Sequence, residues 1–112
     1  MATNYNLNIT QGSDFNIRLA AKDENGTPID LTNYSVSGQA KRRYSDATPL
    51  LNLSPSKVDG YLASGYIDIN IPAETGKALP VVQGVYDVEI YSGTYHQKVV
   101  QGRINVYPEV TS

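Results

Sequence analysis

Apolar and polar residues alternate along most of this chain with a period of two, in short runs. In YNLNIT, residues 5–10, Tyr5, Leu7 and Ile9 fall on one side, and Asn6, Asn8 and Thr10 on the other. Gln11-Gly12-Ser13 breaks the run. DFNIRLAAK, residues 14–22, alternates again: Phe15, Ile17, Leu19 and Ala21 share one face, Asn16, Arg18, Ala20 and Lys22 the other. Asn25-Gly26 is the strongest short turn signal in the chain. PIDLTNY, residues 28–34, reads as an irregular corner anchored by Leu31 and Tyr34. Val36, Gly38 and Ala40 then alternate with Ser37, Gln39 and Lys41. Residues 44–64 are the least regular, with one short strand expected at 50–53 before a Ser/Pro/Gly loop. GYIDINI, residues 65–71, is clear: Ile67, Ile69 and Ile71 inside, Tyr66, Asp68 and Asn70 outside. PAETGKALP has a Pro start, an early acid, a later lysine and a closing Pro, which predicts one helical turn. GVYDVEI sends Tyr86, Val88 and Ile90 inward, and a Ser92-Gly93 turn leads into a last strand over residues 96–107.

These runs predict an all-β chain of about seven short strands, the signature of an antiparallel sandwich or small barrel. Alternation, rather than continuous apolar runs, gives each sheet one wet face. A single helical turn before the second-last strand is a feature of immunoglobulin-like sandwiches. The expected architecture is therefore one immunoglobulin-like antiparallel β-sandwich domain over residues 1–112. Tyr86, at the start of the second-last strand, is expected to form a tyrosine corner, with its ring buried and its hydroxyl bonded to nearby backbone.

Composition narrows the function classes. The chain has 112 residues, 40% hydrophobic and 18% charged, which suits one domain with one core. Its net charge of -2 argues against the basic face that nucleic-acid binding needs. No apolar run approaches a membrane span, and MATNYNLNIT has neither the basic nor the apolar region of a signal peptide. Neither nucleic acid nor membrane is expected as a partner. There is no cysteine, hence no disulfide and no thiolate chemistry. Nine Tyr, one Phe and no Trp mean that tyrosines must supply core volume, and that others offer surface contact area with a polar tip.

Candidate chemistry is thin. Asp87 and Glu89 stand two apart on one strand face, about 7 Å along the chain. Paired carboxylates serve glycosidases, which also need a cleft that a domain this small with short loops does not offer. With Tyr86, Val88 and Ile90 in the core, the acids are expected to face water, with Lys98 and Arg103 of the last strand as partners. His96 is the only histidine, and no nucleophile-elbow pattern accompanies it. Asp23-Glu24-Asn25-Gly26 opens like a calcium loop but lacks the closing bidentate acid, so it reads as a turn. Lys41-Arg42-Arg43 is the one basic cluster. Lys41 and Arg43 would share a strand face, either as a docking patch for an acidic neighbour or as a charged guard on an edge strand. No enzyme activity, catalytic residue, cofactor, metal or small-molecule ligand is expected.

Six segments resemble a known family. QGSDFNIRL is similar to a QG, Ser or Asp, then Phe entry into a second strand. NGTPIDLTNY is similar to a GxPIDLTGY corner, with Asn33 where Gly is usual. SGQAKRRYSDA resembles GQIRKSYSS, and IPAETGKALP resembles AAxTAALP. GVYDVEI resembles GxYVYDVEI, one aromatic step shorter, and VVQGRINVYPEVT resembles LLEGxxxVxPEVT. Together and in this order they resemble small immunoglobulin-like virion structural proteins of tailed bacteriophages, including those of cyanobacteria. The resemblance implies a non-enzymatic particle component, made in the host bacterial cytoplasm and working in the virion. It would sit in repeated copies on the tail or baseplate, or on the capsid surface as a decoration. Its partners would be other virion proteins, in a homo-oligomer or symmetric array. Lys41, Arg42, Arg43, Tyr44, Tyr107, Pro108 and Glu109 are the expected interaction surface. The alternative is a carbohydrate- or receptor-binding sandwich, in which tyrosines stack on sugars.

Overall fold

The computed structural model describes residues 3–43 and 45–108. Along the chain come β1 (Thr3–Asn4), β2 (Leu7–Thr10), β3 (Phe15–Ala20), β4 (Ser35–Lys41), β5 (Leu51–Asn52) and β6 (Ser56–Lys57). A 3-10 turn (Leu62–Ser64), β7 (Tyr66–Ile71), helical turn α1 (Ala73–Lys77), β8 (Gln83–Ser92) and β9 (Tyr95–Tyr107) follow. They form two sheets. The larger runs β1-β9-β8-β4-β5, with β2 also on β9; the smaller runs β3-β7-β6. The expected alternation is the reason the sheets stack. Ile67, Ile69 and Ile71 of β7 join Tyr86, Val88 and Ile90 of β8 in one buried cluster between them. Each such side chain contributes about 1.5–3 kcal/mol by leaving water. Leu31 anchors the PIDLTNY corner from full burial.

Two departures from the sequence reading concern the first strand. The sandwich is not wholly antiparallel, because β1 and β2 pair with β9 in parallel. They also share a single register. Thr3 pairs with Val100 and Leu7 with Ile104, the same offset throughout. β1 and β2 are thus one strand interrupted at Tyr5-Asn6, and on that count the sandwich has eight strands where about seven were expected. The parallel seam is reinforced by side chains. Asn4 Oδ1 accepts from Gln101 Nε2 (3.4 Å), Asn6 Oδ1 from the Arg103 amide (3.1 Å) and Asn8 Oδ1 from Asn105 Nδ2 (3.0 Å). Three asparagines spaced by two thus repeat one contact down the strand.

The interruption has a cause. Tyr86 is buried in the core, and its hydroxyl donates to the backbone carbonyl of Tyr5 at 2.5 Å. The expected tyrosine corner is absent. The bond runs 81 residues back along the chain rather than to nearby backbone. Opposite Tyr86 on β9 lies Gly102. A Cβ there would collide with the carbonyl of Tyr5, so glycine lets the first strand lie against β9 at this point. The Tyr5 amide completes the crossing by donating to the carbonyl of Gln101 at 2.9 Å. Burial pushes the Tyr86 phenol well above its ordinary value, so it stays a donor. Tyr5 itself, grouped by alternation with Leu7 and Ile9, is 47% exposed while those two are buried.

α1 forms where its signals place it, with Glu74 in its first turn and Lys77 in its last. Its ends are tied to the loop after β2. The Ala73 amide donates to Asp14 Oδ1 (2.7 Å), and Gln11 Nε2 donates to the Leu79 carbonyl (2.6 Å). Gly76 sits close against Ile9 and Thr10, so the turn packs against the end of β2. The strand expected at residues 50–53 is present as the two-residue β5, and β6 lies in what was expected to be loop.

Removing the Tyr86 hydroxyl in Tyr86→Phe should cost about 1 kcal/mol in urea unfolding. Gly102→Ala, which forces the first strand off β9, should cost more, about 1–3 kcal/mol. Equal stability of Gly102→Ala and the parent would contradict this account of the seam.

Candidate interaction surface

Because β8 turns Tyr86, Val88 and Ile90 inward, its intervening residues stand on the outer face of the larger sheet. Asp87 lies between Gln39 of β4 and Gln101 of β9, Glu89 between Ser37 and Lys98, and Tyr91 between Ser35 and His96. The row of Lys98 and His96 depends on a β-bulge. The register shifts between Val88 and Glu89, so β9 spends Val99 and Val100 both on the core. Lys98 and His96 thereby move to the outer face. Lys98 Nζ pairs with Asp87 Oδ2 at 3.2 Å, and His96 Nδ1 with Glu89 Oε1 at 3.2 Å. The His96 ring stacks on Tyr91, with centroids 5.6 Å apart and planes at 18°.

The two acids are therefore the wet side of a sheet, each held by its own base. Lys98 is the partner expected from sequence. Arg103 is not a partner: it sits level with Val85, and its amide donates to Asn6. His96 takes its place. The bulge that brings it there leaves only a Val-Val pair in the sequence, which alternation alone assigns to opposite faces. Side chains of Gln39, Lys41, Asp87 and Lys98 line one shallow open depression on this face, and Ser37, Asn52 and Glu89 help line its neighbour.

The expected interaction residues divide. Lys41 ends β4 on this face, in one row with Val85 and Arg103. The chain leaves the sheet directly afterwards. Arg42 and Arg43 are exposed on a bend, where the Arg43 carbonyl accepts from the Asp46 amide at 3.1 Å. Lys41 and Arg43 were expected to share a strand face and do not, because β4 ends between them. Tyr107 closes β9 opposite Thr10, 50% exposed and at the same end of the sheet as Lys41, and Pro108 beyond it is exposed. Tyr44 and Glu109 lie outside the described residues. Sequence reasoning missed the apolar neighbours of Tyr107: Val81, 58% exposed, joins Val82 and Val106 in a depression beside it. The two Pro-flanked valines gave no alternation to read.

The outer face of the smaller sheet carries a two-pronged pair. Arg18 donates from Nε and Nη2 to the two Asp68 oxygens at 2.8 and 3.1 Å, and its guanidinium lies over the Tyr66 ring. That hydrogen bonding holds the Asp68 carboxyl below its ordinary value. At the Asn25-Gly26 turn, Asp23 Oδ1 accepts from the amides of Asn25 and Thr27, and Gly26 has φ 79°. The acid expected to make a turn makes it. Among the described residues, no three His, Cys, Asp or Glu side chains are placed to hold a metal ion. No described helix is long and apolar enough to cross a membrane.

No protein-family model matches the chain, and no curated protein does. Among solved structures it is similar to a chicken TCR, at 14% identity and a TM-score of 0.52, over 95% of this chain and 54% of that one. The chain is an immunoglobulin-like β-sandwich. It spans about half the length of the TCR structure, and at this identity the likeness carries the fold alone.

Two measurements check the charge layout. A double-mutant cycle on Asp87→Asn and Lys98→Met should return a coupling of at most about 1 kcal/mol, shrinking with added salt. For Asp68 the folded value is lowered, so its pair stabilises the fold above the ordinary carboxylate value and is lost as pH falls through the lowered one. Arg18→Met should move the Asp68 midpoint back up in a carboxyl NMR titration. An unmoved midpoint would remove Arg18 as the cause.

Proposed function

We propose that this chain is a non-enzymatic structural protein of a bacteriophage particle, an immunoglobulin-like module repeated on the tail, the baseplate or the capsid surface. The observation that carries the reading is the run of six family-like segments, in order, through nearly the whole chain. Their buried positions are accounted for by the fold. Leu31 of PIDLTNY, Leu79 of GKALP, and Tyr86, Val88 and Ile90 of GVYDVEI are core residues. Exposed positions need a different reason, and binding a neighbour is one. Arg42, Arg43, Tyr107 and Pro108 belong to such segments and are exposed at strand ends.

The surface chemistry suits this role. Asp87, Arg18 and Asp68 are engaged in ion pairs on open sheet faces, and Glu89 contacts His96 there. A protein of this kind works through the surfaces it presents to copies and neighbours. One observation favours a second reading, sugar or receptor binding. Tyr34 and Tyr95 contact one another, with ring centroids 6.1 Å apart, and at the same end of the larger sheet Tyr91 stacks on His96.

Immunogold electron microscopy of purified particles, with antibody to this chain, tests the proposal. Gold at regular positions on heads or tails is the expected result, and its place assigns the role. Absence of the chain from both intact and dissociated particles would overturn it. Saturable glycan binding by the purified chain, abolished by Tyr95→Ala, would move the assignment to the second reading.

A further inference from the structure

The bulge in β9 leaves two cations of the larger sheet without partners. It brings Lys98 and His96 to the two acids of the outer face, Asp87 and Glu89. Lys41 and Arg103 stand in the next row, on either side of Val85. Among the described residues, neither side chain makes an ion pair or a hydrogen bond. Neighbouring strands lie about 4.8 Å apart, so the two backbones are about 10 Å from one another. The place between them, where an acid would serve both, holds the half-buried Val85. Arg42 and Arg43 follow Lys41, exposed on the bend. Four cations thus gather at one end of a chain whose net charge is -2.

An apolar surface adjoins them. Gln83 and Asn105 form the next row, about 7 Å further along the strands. These two also line the depression of Val81, Val82 and Val106 beside Tyr107. The cationic row and the valine depression are therefore continuous.

We propose that this end of the larger sheet docks an acidic peptide segment of a neighbouring protein, its carboxylates on Lys41 and Arg103 and an aliphatic side chain in the valine depression. Charge complementarity calls for an anion, and two observations favour a peptide over a nucleic acid. The depression takes an aliphatic side chain, which a nucleic acid lacks. The cationic row is also bounded. Asp87 and Glu89, the next outward residues of β8, already hold Lys98 and His96. No basic track continues along the sheet for a phosphate backbone to follow. The existence of such a neighbour rests on the particle reading; its chemistry rests on this surface.

The probe is the peptide acetyl-Leu-Asp-Glu-Asp-Leu-amide, titrated into the purified, isotope-labelled chain and followed by NMR. Saturable shifts of the Val85, Arg103 and Val106 amides are expected, weakening with added salt. Lys41→Gln with Arg103→Gln should weaken binding about tenfold, because two exposed ion pairs are lost. Both side chains point outward, so this variant should keep the circular dichroism spectrum of the parent. Lys22→Gln with Lys77→Gln lowers the net charge equally, away from the row, and should bind as the parent does. No saturable shift at millimolar peptide overturns the proposal. So does equal binding of the same peptide with Asn and Gln for its acids, or an equal loss in the Lys22 and Lys77 variant. Tighter binding of a short oligothymidine would overturn it in favour of a nucleic-acid face. The titration is read on the purified chain and the immunogold labelling on particles, so either reading can fail alone.

Discussion

A buried tyrosine hydroxyl has to find an acceptor, and the acceptor Tyr86 finds decides how this sandwich closes. Its ring is held by the core of β8, so its hydroxyl reaches across β9 at the one place where β9 has no side chain, Gly102. The carbonyl of Tyr5 lies there. Leaving a buried hydroxyl unpaired costs about 1–3 kcal/mol, which weighs on a fold whose whole margin is about 5–15 kcal/mol. The first strand is thus drawn to β9, and the Asn4, Asn6 and Asn8 contacts align it in one register over its length. A strand used there is not available to β3. The closed seam on one side and the open edge on the other are two results of one constraint.

The same logic organises the surfaces. On the sheet faces Asp87 pairs with Lys98 and Arg18 with Asp68, Glu89 meets His96, and Lys41 and Arg103 stand in one row on the outer face of the larger sheet. What remains available lies at edges and ends: the β3 flank, the Lys41 to Arg43 bend, and the apolar depression around Val81 and Tyr107. Contacts of that kind fit a part that is repeated and joined to neighbours better than one that turns over a substrate.

Much of the fold was legible because period-two alternation and core burial are the same fact stated twice. Ile67, Ile69 and Ile71 could lie in only one way, and the Pro-bounded PAETGKALP could be little but a helical turn. Features without a local period were hidden. The parallel seam between β2 and β9 joins residues 97 positions apart, and no short window contains it. The bulge at Val99-Val100 reverses the alternation of β9, so Arg103 was given a role that His96 fills. The fate of Tyr86 was half legible. Its ring was placed in the core, but the acceptor of its hydroxyl depends on where a distant segment lies. Lys41 and Arg43 were put on one face because nothing in KRR marks the end of β4 between them.

The central claim is that the first strand, clasped by Tyr86 over Gly102, is part of the cooperative structure rather than an appendage to it. Native-state hydrogen exchange, followed amide by amide, tests this most directly. The account predicts that the Tyr5 amide, bonded to Gln101, exchanges with the same opening free energy as the amides of the β3–β7 ladder. A Tyr5 amide that exchanges far faster, while β3 and β7 stay protected, would show that the sandwich closes without the clasp and would contradict the account.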